Sequence, residues 1–337
     1  MLCPTSEPEL EDLLSTPSEA DRAALAALTG NLLLLGAGGK MGPSLARLAK
    51  RAAPHLNVIA VARFSEAQLR PELERDGIET HARDLLVPGA LDTLPDAENV
   101  IYLAARKFGT AGDASPTWAT NTVLPGLVAQ RYTKSRIISW STGNVYPLVP
   151  VESGGATEAT PLAPVGEYGQ SALGRERIFE YYSRAQGTPV CMLRLNYAVD
   201  LRYGVLVDIA RQVQAGQMID LTMGHVNVIW QGDANSVCLR AWDLCASPPG
   251  ALNVTGPETL TVREIAEAAG ERLGVTPKFT GTPAATALLS NSAQCRMLYG
   301  APRVGAMELL DWVVQWMTQG GRLLTKPTHF AVRDGKF

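Results

Sequence analysis

An apolar run, a glycine-dense turn and an amphipathic stretch follow one another in LLLLGAGGKMGPSLARL, residues 32–48. Gly36, Gly39 and Gly42 stand at G-x-x-G-x-x-G spacing, and Gly38 adds a permissive position. Glycine takes the backbone conformations of such a turn at little cost. A helix starting there points free N–H groups at the turn, an arrangement suited to a pyrophosphate. A second apolar run, NVIAVA at 57–62, completes strand, turn, helix and strand in register. That order predicts a parallel βαβ unit that binds a dinucleotide.

The alternation continues. NVIYLAA (99–105), SRIISWST (135–142) and PVCMLRLN (189–196) read as strands buried on both faces, with helical stretches between them. The fold class is α/β, a Rossmann-type doubly wound parallel sheet with a smaller C-terminal substrate lobe. Residues 1–29 read as a helical extension and 30–196 as the dinucleotide-binding domain, with later segments about 226–256 contributing to it. Residues 197–225 and 257–337 are assigned to the lobe and tail. A lobe in this position caps the carboxyl edge of the sheet, where such folds hold ligands.

Composition excludes other classes. The 337 residues are 46% hydrophobic and 19% charged, as in a globular chain, with a net charge of −3 and no basic run. Nucleic acid and membrane are therefore not expected partners. The acidic start lacks a secretory pattern, and five scattered cysteines (Cys3, Cys191, Cys238, Cys245, Cys295) show no metal-ligand spacing. Reduced thiols in a cytoplasm follow as the expectation. No serine–histidine–acid arrangement and no metal site is read.

Dinucleotide sites of this kind place an acid about 20 residues after the turn to bond the adenosine ribose. Arg63 stands there instead, and Lys40 lies inside the turn. A guanidinium suits a 2′-phosphate, so NADP is favoured and NAD stays open. Both residues also fit as ordinary surface cations.

Taken in order, these motifs resemble the extended short-chain dehydrogenase/reductase superfamily, the NAD-dependent epimerase/dehydratase-like group, over about residues 31–275. The glycine turn (Gly36, Gly39, Lys40, Met41, Gly42) is followed by RDLL, where Asp84 and Leu85 match residues that flank the adenine. YLAARK matches the strand end lining the cofactor, with Leu103, Ala104, Ala105 and Lys107. Asn121 lies in TNTVLPGLV, SWSTGNVYP resembles the serine/threonine strand, and EYGQSALGRE resembles the tyrosine helix. The resemblance implies a hydride-transfer enzyme in which Tyr168 is the acid/base and also touches the cofactor, while Thr142 orients the reacting oxygen. It also allows a homodimer paired through two helices, one of them the tyrosine helix.

The departure is Ala172. The family carries a lysine there, four residues after the tyrosine and on the same helix face. An isolated phenol titrates near pH ~10, and that lysine would lower it. Lys107 is the best substitute cation, and two roles stay open for it: tyrosine activation, or contact with cofactor phosphate. Arg175 and Arg106 are weaker candidates. Gly143–Asn144 replace the acidic pair of the dehydratases, and Val226–Asn227 stand where nucleotide-sugar enzymes carry an arginine. The expected pocket residues are Asn144, Tyr146, Asn196, Tyr197, Asn227 and Trp230, suited to a small sugar, polyol or sugar acid. The competing reading is a dinucleotide-binding protein without turnover, a redox sensor or partner-binding module.

Overall fold

The structure is a computed structural model, and it describes residues 2–109, 112–324 and 326–336. Seven parallel strands form the central sheet: β1 (Asn31–Leu35), β2 (Asn57–Ala62), β3 (Glu79–Ala82), β4 (Asn99–Tyr102), β5 (Arg136–Thr142), β6 (Val190–Leu195) and β7 (Gly250–Val254). Their order is β7-β6-β5-β4-β1-β2-β3. The chain reverses its direction of travel across the sheet between β1 and β4, and the crevice at such a switch point is where doubly wound sheets hold ligands.

The continuous apolar strands serve both faces. Leu32 and Leu34 of β1, with Val58 and Ala60 of β2, belong to the core under α3 (Gly42–Ala52), α4 (Leu69–Arg75) and α8 (Gln231–Arg240). Leu33, Leu35, Ile59 and Val61 point into the opposite core, which packs on α5 (Leu124–Arg131) and α6 (Gly166–Gln186). Alternate side chains of a strand leave opposite faces, so each face needs its own apolar residues. The sequence offers no apolar run for β3. It is a polar edge strand, with Glu79 accepting from Asn57 Nδ2 and paired with His81.

A second core builds the lobe from α7 (Val205–Gln214), α9 (Val262–Leu273) and α10 (Ala306–Thr318). Helix α1 (Glu7–Ser15) gives Leu10 and Leu14 to this core, while α2 (Glu19–Ala26) gives Leu25 to the sheet's core. The N-terminal pair thus ties sheet to lobe. Glu11 clinches the tie by accepting from Arg47 of α3 at 2.8 Å and Arg202 at 2.7 Å. Among the described residues no helix is long and apolar enough to cross a membrane.

Residues 326–336 return from the lobe across the carboxyl edge of the sheet. Phe330 is buried in the lobe core, and Gly335 meets Gly166 backbone to backbone at the start of α6. Both glycines have positive φ, +76° and +73°, and a Cβ on either would collide with the other strand of chain.

Candidate active site

The glycine turn leaves the end of β1 with Gly36 and Ala37 both donating to the Val61 carbonyl. Gly36 has φ +93°, and a Cβ there would lie 2.5 Å from the Ala104 nitrogen. At Gly42 a Cβ would run into the Ala37 carbonyl. No side chain caps the first turn of α3; Gly42 N donates to the Gly39 carbonyl and Pro43 has no N–H, which leaves Ser44 N as the first-turn donor open to a ligand. This backbone fits a dinucleotide diphosphate. Met41 packs against the core beside the turn, Leu85 is buried in the opposite core, and Asp84 Oδ1 accepts from Leu86 N at 3.1 Å. Arg63 is exposed directly after β2.

Lys40 is an exposed residue, and its terminal nitrogen lies over the Tyr203 ring, 5.7 Å from the centre of Phe108. Desolvation, followed by repulsion from Lys107 and Lys326, lowers its pKa to about 6, against the attraction of Asp208 and Asp200. The turn therefore holds an amine whose protonated form an incoming anion would stabilise.

Tyr168 opens α6 and is 8% exposed. The helix approaches the turn after β5 so closely that a Cβ at Gly169 would lie 2.7 Å from the Asn144 carbonyl oxygen. Only a residue without a side chain lets the tyrosine turn sit there. Across this contact, Thr142 Oγ1 accepts from Asn144 N at 3.2 Å and from Asn144 Nδ2 at 3.0 Å. Both lone pairs are engaged, and the hydroxyl's own proton has no acceptor among the described residues. Thr142 is thus prepared to donate. Glu167 faces away and accepts from the Trp118 indole at 2.5 Å.

Ala172 is fully buried in an apolar cluster with Val145, Tyr146, Met223 and Ala287. Arg175, one turn further on, is also buried, but it donates to the Trp140 carbonyl at 2.7 Å and to Asn121 Oδ1 at 2.9 Å. Lys107 comes from the opposite side. Its ammonium lies 5.8 Å from the Tyr168 ring centre, 5.5 Å from that of Phe108, and donates to the Thr328 carbonyl at 3.1 Å. Desolvation lowers its pKa to about 8, with Asp208 opposing the shift.

Asn121 sets that approach. It sits in a π-helical turn, Ala119–Val123, and makes four bonds. Its Oδ1 accepts from Arg106 N and Arg175; its Nδ2 donates to Arg106 O and Ser171 Oγ. Ser171 in turn donates to the Tyr168 carbonyl at 2.9 Å. The side chain's bonding capacity is used up in stapling the Ala105–Lys107 loop to the tyrosine helix. Leu103 and Ala104 lie between that loop and β4, with Ala104 against Gly36.

The expected pocket residues divide. Asn144, Tyr146 and Tyr197 line one cavity with Met223, Val332 and Arg333. Tyr197 has φ +46°, a strained conformation for a tyrosine, and burial raises the pKa of its phenol. Tyr146 shows this cavity only its ring: its hydroxyl donates to Asn253 and accepts from Arg194, which pairs with Glu176 at 2.7 Å. Asn196 and Asn227 bond each other at 2.7 Å, and they also hold the Leu288 and Ser290 carbonyls. Trp230 is buried edge-on against Trp312 in the lobe. Residues not anticipated are Tyr203 beneath Lys40, Asp208 beside both lysines, and the strand of chain carrying Thr328 and Arg333. Tyr203 and Asp208 follow Asn196 and Tyr197 within a dozen residues and Thr328 and Arg333 lie far from the motifs, but no local pattern marks any of them.

No curated protein matches the sequence. Among solved structures, UDP-glucose 4-epimerase from Thermotoga maritima is similar with a TM-score of 0.71 at 18% identity, covering 86% of this chain and 99% of that one. A UDP-glucuronic acid 4-epimerase variant from Bacillus cereus gives a TM-score of 0.73 at 17% identity, covering 86% and 99%. The dTDP-glucose 4,6-dehydratase from Bacillus anthracis gives 0.73 at 17%, covering 86% and 97%. These chains are matched almost end to end, whereas part of this chain has no counterpart in them. Residues 32–223 match the family model for the NAD-dependent epimerase/dehydratase family, more than half of the chain. With its doubly wound sheet, glycine turn and tyrosine helix, the chain belongs to the NAD-dependent epimerase/dehydratase family, within the extended short-chain dehydrogenase/reductases.

Proposed function

We propose that the protein is an NAD(P)-dependent oxidoreductase or epimerase acting on a small polyhydroxylated substrate, a sugar, polyol or sugar acid. The observation that carries this reading is the hydroxyl of Thr142, fixed as a donor by Asn144 across the close Gly169–Asn144 contact from Tyr168. When bound, the nicotinamide dinucleotide supplies the hydride chemistry. Thr142 donates to the reacting oxygen and orients it. Tyr168 takes the proton from that hydroxyl in the oxidising direction and returns it in the other. Lys107 brings positive charge to the tyrosine, which favours the phenolate during proton exchange. The glycine turn and Lys40 hold the diphosphate.

Arg63, exposed at the end of β2, supports a preference for the 2′-phosphate of NADP. NAD remains the cofactor named for the family and bound in several of the similar structures. The missing arginine at Val226–Asn227 favours a substrate smaller than a nucleotide sugar.

Fluorescence titration of each cofactor, then cofactor reduction with a panel of sugars and sugar acids, tests the reading. Turnover lost in Tyr168→Phe supports it. Tight cofactor binding with no turnover across the panel would favour the dinucleotide-binding sensor.

A further inference from the structure

Residues 326–336 give Val332, Arg333 and Gly335 to the lining of the cavity that holds Asn144, Tyr146 and Tyr197, and are held along their length. Thr328 donates through N and Oγ1 to Asp208 Oδ2 at 2.7 and 2.6 Å, and its carbonyl accepts from Lys107. His329 lies against Phe108, with ring centres 5.7 Å apart, and Phe330 is buried. The Gly166–Gly335 contact fixes the far end. The cavity under this segment measures about 20 Å³, room for about one water and not for a sugar. A sugar therefore fits this cavity only if its walls, this segment among them, move.

Arg333 is the polar side chain that this segment presents to the cavity. It is half-buried, and its terminal nitrogens donate to the Thr286 carbonyl at 2.6 Å, Thr286 Oγ1 at 2.7 Å and the Thr222 carbonyl at 3.4 Å, with Met223 Sδ at 3.5 Å. All these acceptors are neutral. Among the described residues no carboxylate pairs with Arg333, and the neighbouring Asp334 pairs with Lys336 at 3.3 Å. A guanidinium parked on neutral acceptors gains by exchanging them for a carboxylate, which it can bind through two parallel bonds.

We infer that residues 326–336 form a strap that opens for substrate and closes over it, and that Arg333 selects a substrate bearing a carboxylate. The inference rests on the proposed reading of the pocket and narrows its substrate class to sugar acids.

The test uses the full chain saturated with cofactor, with D-glucuronate, D-glucose and D-glucose 6-phosphate as probes. Calorimetry gives affinities, and hydrogen exchange follows residues 326–336. Glucuronate should bind roughly 10- to 100-fold more tightly than glucose, the range for a charge-assisted pair, and should slow exchange in the strap. Arg333→Met should collapse that ratio, and Arg333→Lys should keep part of it. A ratio unchanged in Arg333→Met, tighter binding of the phosphate, or no acid-dependent protection overturns the inference. Tyr168→Phe separates the two claims. If it abolishes turnover while Arg333→Met leaves the ratio intact, the strap fails and the enzyme reading stands. If glucuronate protects the strap and Tyr168→Phe leaves turnover intact, the strap stands and the acid/base assignment fails.

Discussion

The ammonium of Lys107 lies 5.8 Å from the ring centre of Tyr168, while Ala172, one helical turn along from that tyrosine, is sealed in an apolar cluster. The position on the tyrosine's own helix is apolar, and a cation stands instead on the loop after β4. Asn121 holds that loop against the helix, and the Thr328 carbonyl holds the ammonium. Lys107→Ala should therefore lower kcat by roughly 10²-fold, the lower end of what a positioned acid–base group contributes. Steady-state cofactor reduction measures it, and an unchanged kcat would leave Lys107 a phosphate contact only.

The same position fixes a pH dependence. Burial brings Lys107 down to about 8, so its charge is present below that pH and is lost as pH rises through it. Turnover should fall on the alkaline side near pH 8. Lys107→Arg, which stays charged throughout, should move this limb upward. Profiles of kcat for both proteins read the difference.

Restoring the family's lysine should not help. Residue 172 is fully buried in an apolar cluster with Val145, Tyr146, Met223 and Ala287. Ala172→Lys should destabilise the fold by at least roughly 1–3 kcal/mol through overpacking, with the buried charge adding to it. Denaturant melts should show a lower midpoint, and Ala172→Lys should fail to rescue Lys107→Ala.

Lys40 is protonated only at a cost. Its pKa falls from 10.5 to about 6 on folding, so between those values the unfolded chain binds more protons and stability rises with pH. Lys40→Met should raise the melting temperature slightly, because the residue is exposed and solvent screens the cost, with the gain largest below about pH 6 and gone near 10.5. A bound diphosphate should restore the ammonium, so cofactor binding at pH 7 should take up protons. Calorimetry in buffers of different ionisation enthalpy should show that uptake, and Lys40→Met should abolish it.

The proposed function assigns the cofactor preference to Arg63. Arg63→Ala should weaken NADP binding by roughly tenfold, as for loss of one charged hydrogen-bond partner, and leave NAD binding nearly unchanged. Equal loss for both would make Arg63 a surface cation.

The sheet was legible because β1 and β2 must serve two cores at once, which forces unbroken apolar runs. The edge strand β3 covers no second face and left no such run in Glu79–Ala82. The candidates Thr142 and Tyr168 stand out because each lies in a short local motif, STGNVYP and EYGQSALGRE. Partners made across the fold were not. Nothing near Asn196 in sequence announces Asn227, 31 residues away, as its partner. Nothing near Lys107 announces Thr328, 221 residues on. Burial of Ala172 likewise depends on Met223 and Ala287, which only the folded lobe brings to it.

Turnover of the wild type, Tyr168→Phe, Lys107→Met and the double variant, on one substrate that reduces the cofactor, tests the central claim most directly. If Lys107 acts through Tyr168, each single change should cost roughly 10²-fold or more, and the double change should cost little beyond Tyr168→Phe alone. Wild-type turnover in Lys107→Met, or costs that multiply in the double variant, would contradict it.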